Sequence, residues 1–213
     1  MIATAIGGTG LTGSLVVRKL VDDPAITKVI SIARRSLEIP NPKLEEVLIH
    51  DLGELPALGS MLRGDFYFCC LGTTIEIAGS KEGFEKVDHD AVEAFAKIAK
   101  THSARSFTLI SAMLANANSM FFYNRVKGRT ENDVRALGLH SLIIFRPALL
   151  VGSRREFRLA EAVASLALVP ISRLLPTRVR KRFITPVQTL AERMLAEGKA
   201  APAGVHVIEA KDI

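Results

Sequence analysis

Three glycines at intervals of three residues separate the first apolar run of the chain from its first amphipathic helix. Ile2–Ile6 predicts a buried strand, and Gly7, Gly10 and Gly13 follow it in the sequence GGTGLTG, ahead of a helix that ends near Asp22-Asp23-Pro24. Glycine suits a turn at positive φ, a backbone that approaches a phosphate closely, and a helix packed tightly on a strand. The helix N-terminus would offer free N–H groups to a pyrophosphate. This order of elements predicts a dinucleotide site, with an unliganded glycine-rich turn as the alternative.

Apolar runs and amphipathic segments alternate along the chain, which predicts an α/β fold with a parallel sheet and right-handed crossovers. The continuous apolar run Phe66–Leu71 is typical of a strand buried on both faces. The other predicted strands are Lys28–Ala33, Val47–Ile49, Phe107–Ile110, Leu142–Phe145 and Val205–Ile208. The later predicted helices are Phe84–Lys100, the helix that carries Tyr123 and Lys127, Glu156–Leu168, and Pro186–Glu197. The second of these ends near Leu137, with Gly138 as its C-cap. The last has Thr185 as its N-cap and Pro186 as its first residue. We expect a Rossmann-like doubly wound sheet of six to seven strands with a short C-terminal helical segment.

The length of 213 residues, 48% of them hydrophobic, suits one buried core. We therefore expect a single domain over 1–213, in which 151–213 forms a lid and flank on the substrate side. The net charge of +6 comes entirely from Arg154–Arg182. A solvated basic surface is the first interpretation; contact with an anionic substrate, an acidic partner or a membrane surface is the alternative. No broad basic face with interleaved aromatics indicates nucleic-acid binding.

The cysteines and the N-terminus bear on cellular location and on metal binding. Cys69 and Cys70 are neighbours in an apolar run, as expected of core residues in a reducing cytosol. No cysteine or histidine spacing predicts a metal site. The N-terminus lacks the pattern of a signal peptide, and polar residues interrupt the longest uncharged stretch, 106–124, so that no membrane span is predicted. We expect a soluble, cytoplasmic protein.

The end of the second strand bears on the choice of cofactor. An NAD site places a carboxylate there, whereas this chain has Arg34 and Arg35 and no acid before Glu38. An arginine can pair with a 2′-phosphate, so NADP(H) is favoured over NAD(H), with Arg34 ahead of Arg35. Asp51 either accepts a bond from adenine or caps a turn. Gly72 and Thr73 follow the fourth strand, where a parallel sheet opens toward its ligand.

Tyr123 and Lys127 lie four residues apart on a predicted helix and so share one face. A nearby ammonium favours phenolate, and lowering the pKa of tyrosine from ~10 to about 7 needs about 4 kcal/mol. A serine hydroxyl at Ser111 could orient a carbonyl oxygen. Such a set suits proton transfer to a carbonyl or from an alcohol, which accompanies hydride transfer.

With these motifs in this order the chain resembles a short-chain dehydrogenase/reductase of the extended and atypical branches. The segments CCLGTT, GFEKVD, LISA, YNRVKG and FRPALLVG resemble the Tat-interacting-protein oxidoreductase group and its small bacterial relatives, from Ile2 to about Gly152. The resemblance implies a Rossmann fold, NADP(H) and a Ser-Tyr-Lys triad: Tyr123 as acid/base, Lys127 as its charge partner and ribose ligand, and Ser111 as carbonyl orienter. The full expected cofactor site comprises Gly7, Thr9, Gly10, Leu11, Thr12, Gly13, Arg34, Arg35, Asp51, Leu52, Leu71, Gly72, Thr73, Tyr123, Lys127 and Pro147.

One position departs from the family pattern. Many members carry an asparagine that supports a proton-relay water, and Asp88 stands at that place here, so the relay is absent or rewired. The neighbouring His89 is interpreted as a helix-surface residue.

Two functions follow from these features. The first is an NADP(H)-dependent oxidoreductase acting on a small carbonyl or alcohol, with a partly apolar pocket near Phe121, Phe122 and Leu149-Leu150 unless these residues only pack the core. The second is a non-catalytic NADP(H)-binding redox sensor that docks a partner. Because sensors of this fold often lack the tyrosine and lysine, their presence favours the enzyme.

Overall fold

Seven strands form one all-parallel sheet in the computed structural model of the protein, which describes residues 1–152 and 183–213. The strands of this sheet are β1 (Ile2–Ile6), β2 (Lys28–Ala33), β3 (Leu44–Leu48), β4 (Phe66–Cys69), β5 (Ser106–Ile110), β6 (Ser141–Arg146) and β9 (Gly204–Glu209). Their spatial order is β3-β2-β1-β4-β5-β6-β9. Two short strands, β7 (Leu149–Val151) and β8 (Ile184–Pro186), pair in parallel beside it. The α/β, Rossmann-like fold predicted from the sequence is confirmed.

Helices connect the strands. The α-helices are α1 (Leu11–Asp22), α2 (Ile75–Ala78), α3 (Lys81–Glu85), α4 (Ala91–Thr101), α5 (Phe122–Ala136) and α6 (Val187–Ala200). Between α3 and α4 the helix continues through one π-helical turn, Lys86–Asp90. Two 3₁₀ segments, Leu52–Met61 and Ala210–Asp212, complete the described elements.

The sheet is buried on both faces because successive side chains of a strand point to opposite sides. In β4, Tyr67 and Cys69 pack into the core that α4 covers. Phe66 and Phe68 pack into the core on the other face, which α1 and α6 cover. This double burial is the physical reason why β4 is an uninterrupted apolar run in the sequence.

The strand order reverses between β1 and β4. From β1 the chain proceeds outward to β2 and β3, and from β4 it proceeds in the other direction. The carboxyl ends of β1 and β4 therefore border a crevice at which open α/β sheets bind their ligands. The glycine loop leaves β1 at this place.

Several predicted boundaries were wrong. The third strand is Leu44–Leu48 rather than Val47–Ile49, since an edge strand need not be a continuous apolar run. The fourth strand ends at Cys69. The helix predicted from Phe84 to Lys100 begins earlier and contains the π-turn. Pro186 is the N-cap residue of α6, so that Thr185 lies in β8. The predicted helix Glu156–Leu168 and the basic segment 154–182 lie outside the described residues.

Candidate cofactor and catalytic site

The glycine loop forms a close-packed cradle that only glycine permits. Gly7 has φ +83°, and a Cβ atom there would lie 2.6 Å from the carbonyl oxygen of Cys70. A Cβ atom on Gly13 would approach the carbonyl oxygen of Gly7 closer than 3.0 Å. Helix α1 begins after Gly10 without a side-chain cap, so its first N–H groups are free to bind an anion. The hydroxyl of Thr12 is buried without a hydrogen-bond partner among the described residues. These features fit a dinucleotide pyrophosphate.

A cleft of about 220 Å³ opens beside this cradle, between the ends of β1, β2 and β4. The predicted cofactor residues that line it are Gly7, Thr9, Gly10, Arg34, Leu52, Leu71, Gly72 and Thr73. Within the part of the chain that the structure describes, the other predicted cofactor residues lie away from its walls: Leu11, Thr12, Gly13, Arg35, Asp51, Tyr123, Lys127 and Pro147. Sequence reasoning missed its apolar walls, among them Ile32, Ile49, Ile77 and Val87.

The two arginines after β2 differ in position. Arg34 is exposed and lines the cleft, whereas Arg35 does not line it. Asp51 serves as N-cap of the segment Leu52–Met61: its Oδ1 accepts from the N–H of Gly53 at 2.7 Å, and Glu54 completes a capping box. The structure therefore shows the capping role that the sequence left open as an alternative to adenine binding.

Helix α5 presents Tyr123 and Lys127 one turn apart. Tyr123 is 38% exposed, and its ring lies 5.5 Å from the buried ring of Phe84, measured between centroids. Lys127 is buried, and its Nζ lies 2.7 Å from Oδ1 of Asp88 in the π-turn. The backbone N–H of Thr73 donates to the other oxygen of Asp88 at 2.9 Å. Asp88 thus joins the tyrosine-bearing helix to the loop that lines the cleft.

The pKa of Tyr123 departs from the expectation based on Lys127 alone. Burial raises the pKa of the phenol; Lys127 lowers it, and Asp88 raises it further. The net direction is above the ordinary value of 10.0. Burial and the carboxylate of Asp88 together outweigh Lys127, so the structure does not support the lowering expected from Lys127 alone.

Ser111, directly after β5, belongs to a second buried charge cluster. Its hydroxyl donates to Oε1 of Glu131 at 2.6 Å. Arg146 donates from Nε to the same oxygen at 2.9 Å and from Nη2 to the other at 2.7 Å, and Arg135 adds a third contact. Together these bonds satisfy Glu131, which is 1% exposed. The sequence signals one of these contacts, because Arg135 follows Glu131 by four residues on α5; the partners from β6 and from the residue after β5 are distant in sequence.

His89 was expected on a helix surface, but it bridges two elements. Its Nε2 lies 2.8 Å from Asp133 on α5, and its Nδ1 lies 2.8 Å from Asp90. Burial lowers the pKa of His89, but the hydrogen bonds to Asp90 and Asp133 outweigh burial, so that the pKa lies above its ordinary value. His89 therefore connects the π-turn to the helix that carries Tyr123.

The two neighbouring thiols are poor nucleophiles. Burial raises the pKa of Cys69 to about 12 and also raises that of Cys70. Both thiols are free, and at neutral pH they are protonated. Within 1–152 and 183–213, no group of three or more histidine, cysteine and acidic side chains is arranged to hold a metal ion.

The sheet order and the glycine cradle at its crevice together define a protein of the Rossmann-like α/β class. No protein-family profile matches the chain. Curated relatives do match it. FMP52-2 of Scheffersomyces stipitis is 31% identical over 99% of this chain and 95% of its own length. Protein fmp52 of Emericella nidulans is 37% identical over 75% of this chain and 71% of its own length. HTATIP2 of Rattus norvegicus is 34% identical over 89% of this chain and 78% of its own length.

The chain belongs to the family of the FMP52 and HTATIP2 proteins. This is the Tat-interacting-protein group of atypical short-chain dehydrogenases/reductases that the motifs predict, so that prediction is confirmed. The expected cytoplasmic location is contradicted, because the fungal relatives are named as mitochondrial proteins. In the described residues, no helix is both long enough and apolar enough to cross a bilayer.

Solved structures agree on the fold. The enzyme WbmH of Bordetella bronchiseptica, solved with NAD⁺, superposes with a TM-score of 0.71 at 17% identity, over 96% of this chain and 74% of that one. Uronate dehydrogenase of Agrobacterium tumefaciens superposes with a TM-score of 0.71 at 15% identity, over 98% of this chain and 76% of that one. At these identities the likeness shows the shared fold.

Proposed function

We propose that this protein is an NADP(H)-dependent oxidoreductase that transfers hydride to or from a small carbonyl or alcohol. The observation that carries the proposal is the placement of Lys127, a buried lysine paired with Asp88, one helical turn from Tyr123. Through Asp88 this pair is joined to Thr73 at the cleft of the glycine loop. Such a reaction requires a proton donor and a dinucleotide cradle, and the hydrogen bond from Thr73 to Asp88 connects the two.

The residues proposed to hold the cofactor are those of the cradle and the cleft. The N-terminus of α1 would bind the pyrophosphate, and Gly72 and Thr73 would contact the dinucleotide through their backbone. Arg34 would pair with a 2′-phosphate, which is the basis for proposing NADP(H) over NAD(H). When bound, the reduced cofactor supplies the hydride.

The proposed catalytic residues act on the substrate oxygen. In the direction of reduction, Tyr123 gives its phenolic proton to the carbonyl oxygen, and Lys127 stabilises the phenolate that remains. Ser111 orients the same oxygen, for which its proton must turn from Glu131 toward the substrate. Glu131 can lose the hydrogen bond from Ser111 without being left unsatisfied, because Arg146 and Arg135 continue to donate to it.

The loop before α5 indicates the chemical character of the substrate. Leu114, Met120 and Phe121 are 71%, 95% and 76% exposed, and all three lie between Ser111 and Tyr123 in the sequence. Exposed apolar side chains of this size mark binding surfaces. We therefore propose a small-molecule substrate with an apolar part adjoining its carbonyl group.

We also propose that residues 1–213 form one domain. Two elements support this. Helix α6 packs against α1, where Lys19 pairs with Glu192 at 2.9 Å, and strand β9 extends the sheet beside β6. The C-terminal elements described here thus belong to the same core as the glycine loop.

The test is a panel of apolar aldehydes and ketones followed by consumption of NADPH, with Tyr123→Phe as the paired variant. We expect wild-type turnover with at least one compound, and for Tyr123→Phe an unchanged affinity for NADPH with nearly all turnover lost. A variant that keeps its turnover would refute the role of Tyr123. NADPH binding without turnover on any compound would favour the redox-sensing regulator.

A further inference from the structure

Asp88 connects the helix that carries Tyr123 to the loop that lines the cleft. It lies in the π-turn between α3 and α4 and is 1% exposed. Its two oxygens have different partners, the ammonium of Lys127 at 2.7 Å and the backbone N–H of Thr73 at 2.9 Å. The carboxylate is thus held from two sides, by α5 and by the cleft loop.

A buried ammonium and a buried carboxylate in contact form a unit with almost no net charge. Burial acts against the charged form of Lys127, but Asp88 raises the pKa of Lys127 above its ordinary value, so Lys127 carries its positive charge. Among residues 1–152 and 183–213, the other titratable groups that act on Lys127 are Tyr123 on α5 and the thiol of Cys69 at the end of β4. Since burial raises the pKa of Cys69 to about 12, this thiol is neutral.

The pair has a direct consequence for Tyr123. An unpaired ammonium one turn away would draw the phenol toward phenolate, but Asp88 offsets the charge of Lys127 and itself disfavours a phenolate at Tyr123. The phenol is therefore held in the form that can donate a proton.

We infer that Asp88 is a positioning residue that keeps Tyr123 protonated by holding Lys127 in a buried ion pair, and that the site is thereby built to reduce a carbonyl rather than to oxidise an alcohol at neutral pH. The inference rests on the proposed function and assigns its direction. In the reduction, the carbonyl carbon gains the hydride with its two electrons, the C=O π bond breaks, and the oxygen takes the proton of Tyr123. Solvent then returns a proton to the phenolate.

The composition of the chain permits a direct test without substrate or cofactor. There is no tryptophan, and Tyr123 and Tyr67 are the two tyrosines. Burial raises the pKa of Tyr67 to about 12. The ultraviolet absorbance of tyrosinate therefore follows Tyr123 in an alkaline titration, and Tyr123→Phe identifies its transition by removing it.

The decisive variant is Asp88→Asn, which keeps the size of the side chain and removes its charge. We expect the midpoint of the Tyr123 transition to fall by at least about one pH unit, because the charge of Lys127 is no longer offset. A midpoint that stays in place or rises would overturn the inference. If the variant does not fold, wild type alone decides: a midpoint above the ~10 of free tyrosine supports the inference, and one below it refutes it. Since no turnover is measured, this outcome is independent of whether a substrate is found.

Discussion

The hydroxyl of Ser111 donates a hydrogen bond to Oε1 of Glu131 over 2.6 Å. Arg146 donates to both oxygens of the same carboxylate, from Nε at 2.9 Å and from Nη2 at 2.7 Å. The proton of Ser111 points to Glu131 and must turn away from it before Ser111 can donate to another oxygen. Ser111, predicted from the sequence to orient a carbonyl oxygen, is thus held by a hydrogen bond to Glu131, which lies one helical turn beyond Lys127 on α5.

Glu131→Gln is expected to destabilise the protein by about 3 kcal/mol, because it leaves Arg146 without its buried partner. Urea unfolding at neutral pH measures the change. Arg135→Ala is the matched control: it removes a single contact of 3.1 Å from a partly exposed arginine and is expected to cost under about 1 kcal/mol. Equal losses in the two variants would contradict a central role for Glu131.

Arg34→Ala is expected to weaken NADPH binding about tenfold to a hundredfold, the usual effect of losing a charged hydrogen-bonding partner, and to leave NADH binding unchanged. Arg35→Ala, which removes the neighbour that does not line the cleft, should affect neither cofactor. Dissociation constants for both cofactors and both variants give the answer. If NADPH and NADH bind wild type equally well, the proposed preference is wrong.

Gly13→Ala is expected to weaken NADPH binding at least about tenfold. The new methyl group would collide with the carbonyl of Gly7, and relieving such overpacking costs about 1–3 kcal/mol and moves α1 away from the loop. Gly59→Ala is the control, since its methyl group would meet only Ile98 at an ordinary 3.7 Å. Calorimetric titration measures binding, and circular dichroism verifies that both variants are folded. Unaltered binding in Gly13→Ala would argue against the cradle.

The His89 bridge predicts a pH-dependent contribution to stability. Because the pKa of His89 in the folded protein lies above 6.5, protonated His89 favours the folded state. Its contribution is fully present below about pH 6.5 and is lost as the pH rises through the folded pKa. The difference in unfolding free energy between wild type and His89→Gln should therefore shrink from pH 6 toward pH 9. Asp133→Asn should show the same trend, and a difference that grows with pH would refute the bridge.

The sequence predicts most of the sheet because strands buried on both faces are apolar runs with little ambiguity, as in β4. The bounds predicted for the edge strand β3 were wrong, because Glu45 and Glu46 interrupt its apolar pattern. The glycine cradle was predictable from spacing, because close backbone approach admits no other residue at Gly7 and Gly13.

The charge relations of the site were not predictable in the same way. Spacing places Tyr123 and Lys127 on one helix face, but only the three-dimensional packing of the π-turn brings Asp88 to Lys127. The partners of Glu131 come from β6 and from the residue after β5, which are distant in sequence. Periodicity within one helix carries no information on such contacts, and the direction of the Tyr123 pKa depends on them.

The π-turn also bears on how relatives are compared. A π-helical turn holds one residue more than the α-helical turn it replaces, so α3 and α4 are out of phase by one position. Deleting one residue between Lys86 and Asp90 would remove the residue that the wider turn accommodates, and α3 and α4 could then continue as one regular α-helix. An alignment with a relative that lacks the π-turn needs a one-residue gap here, or every position N-terminal to Asp88 in that helix is matched to the wrong partner.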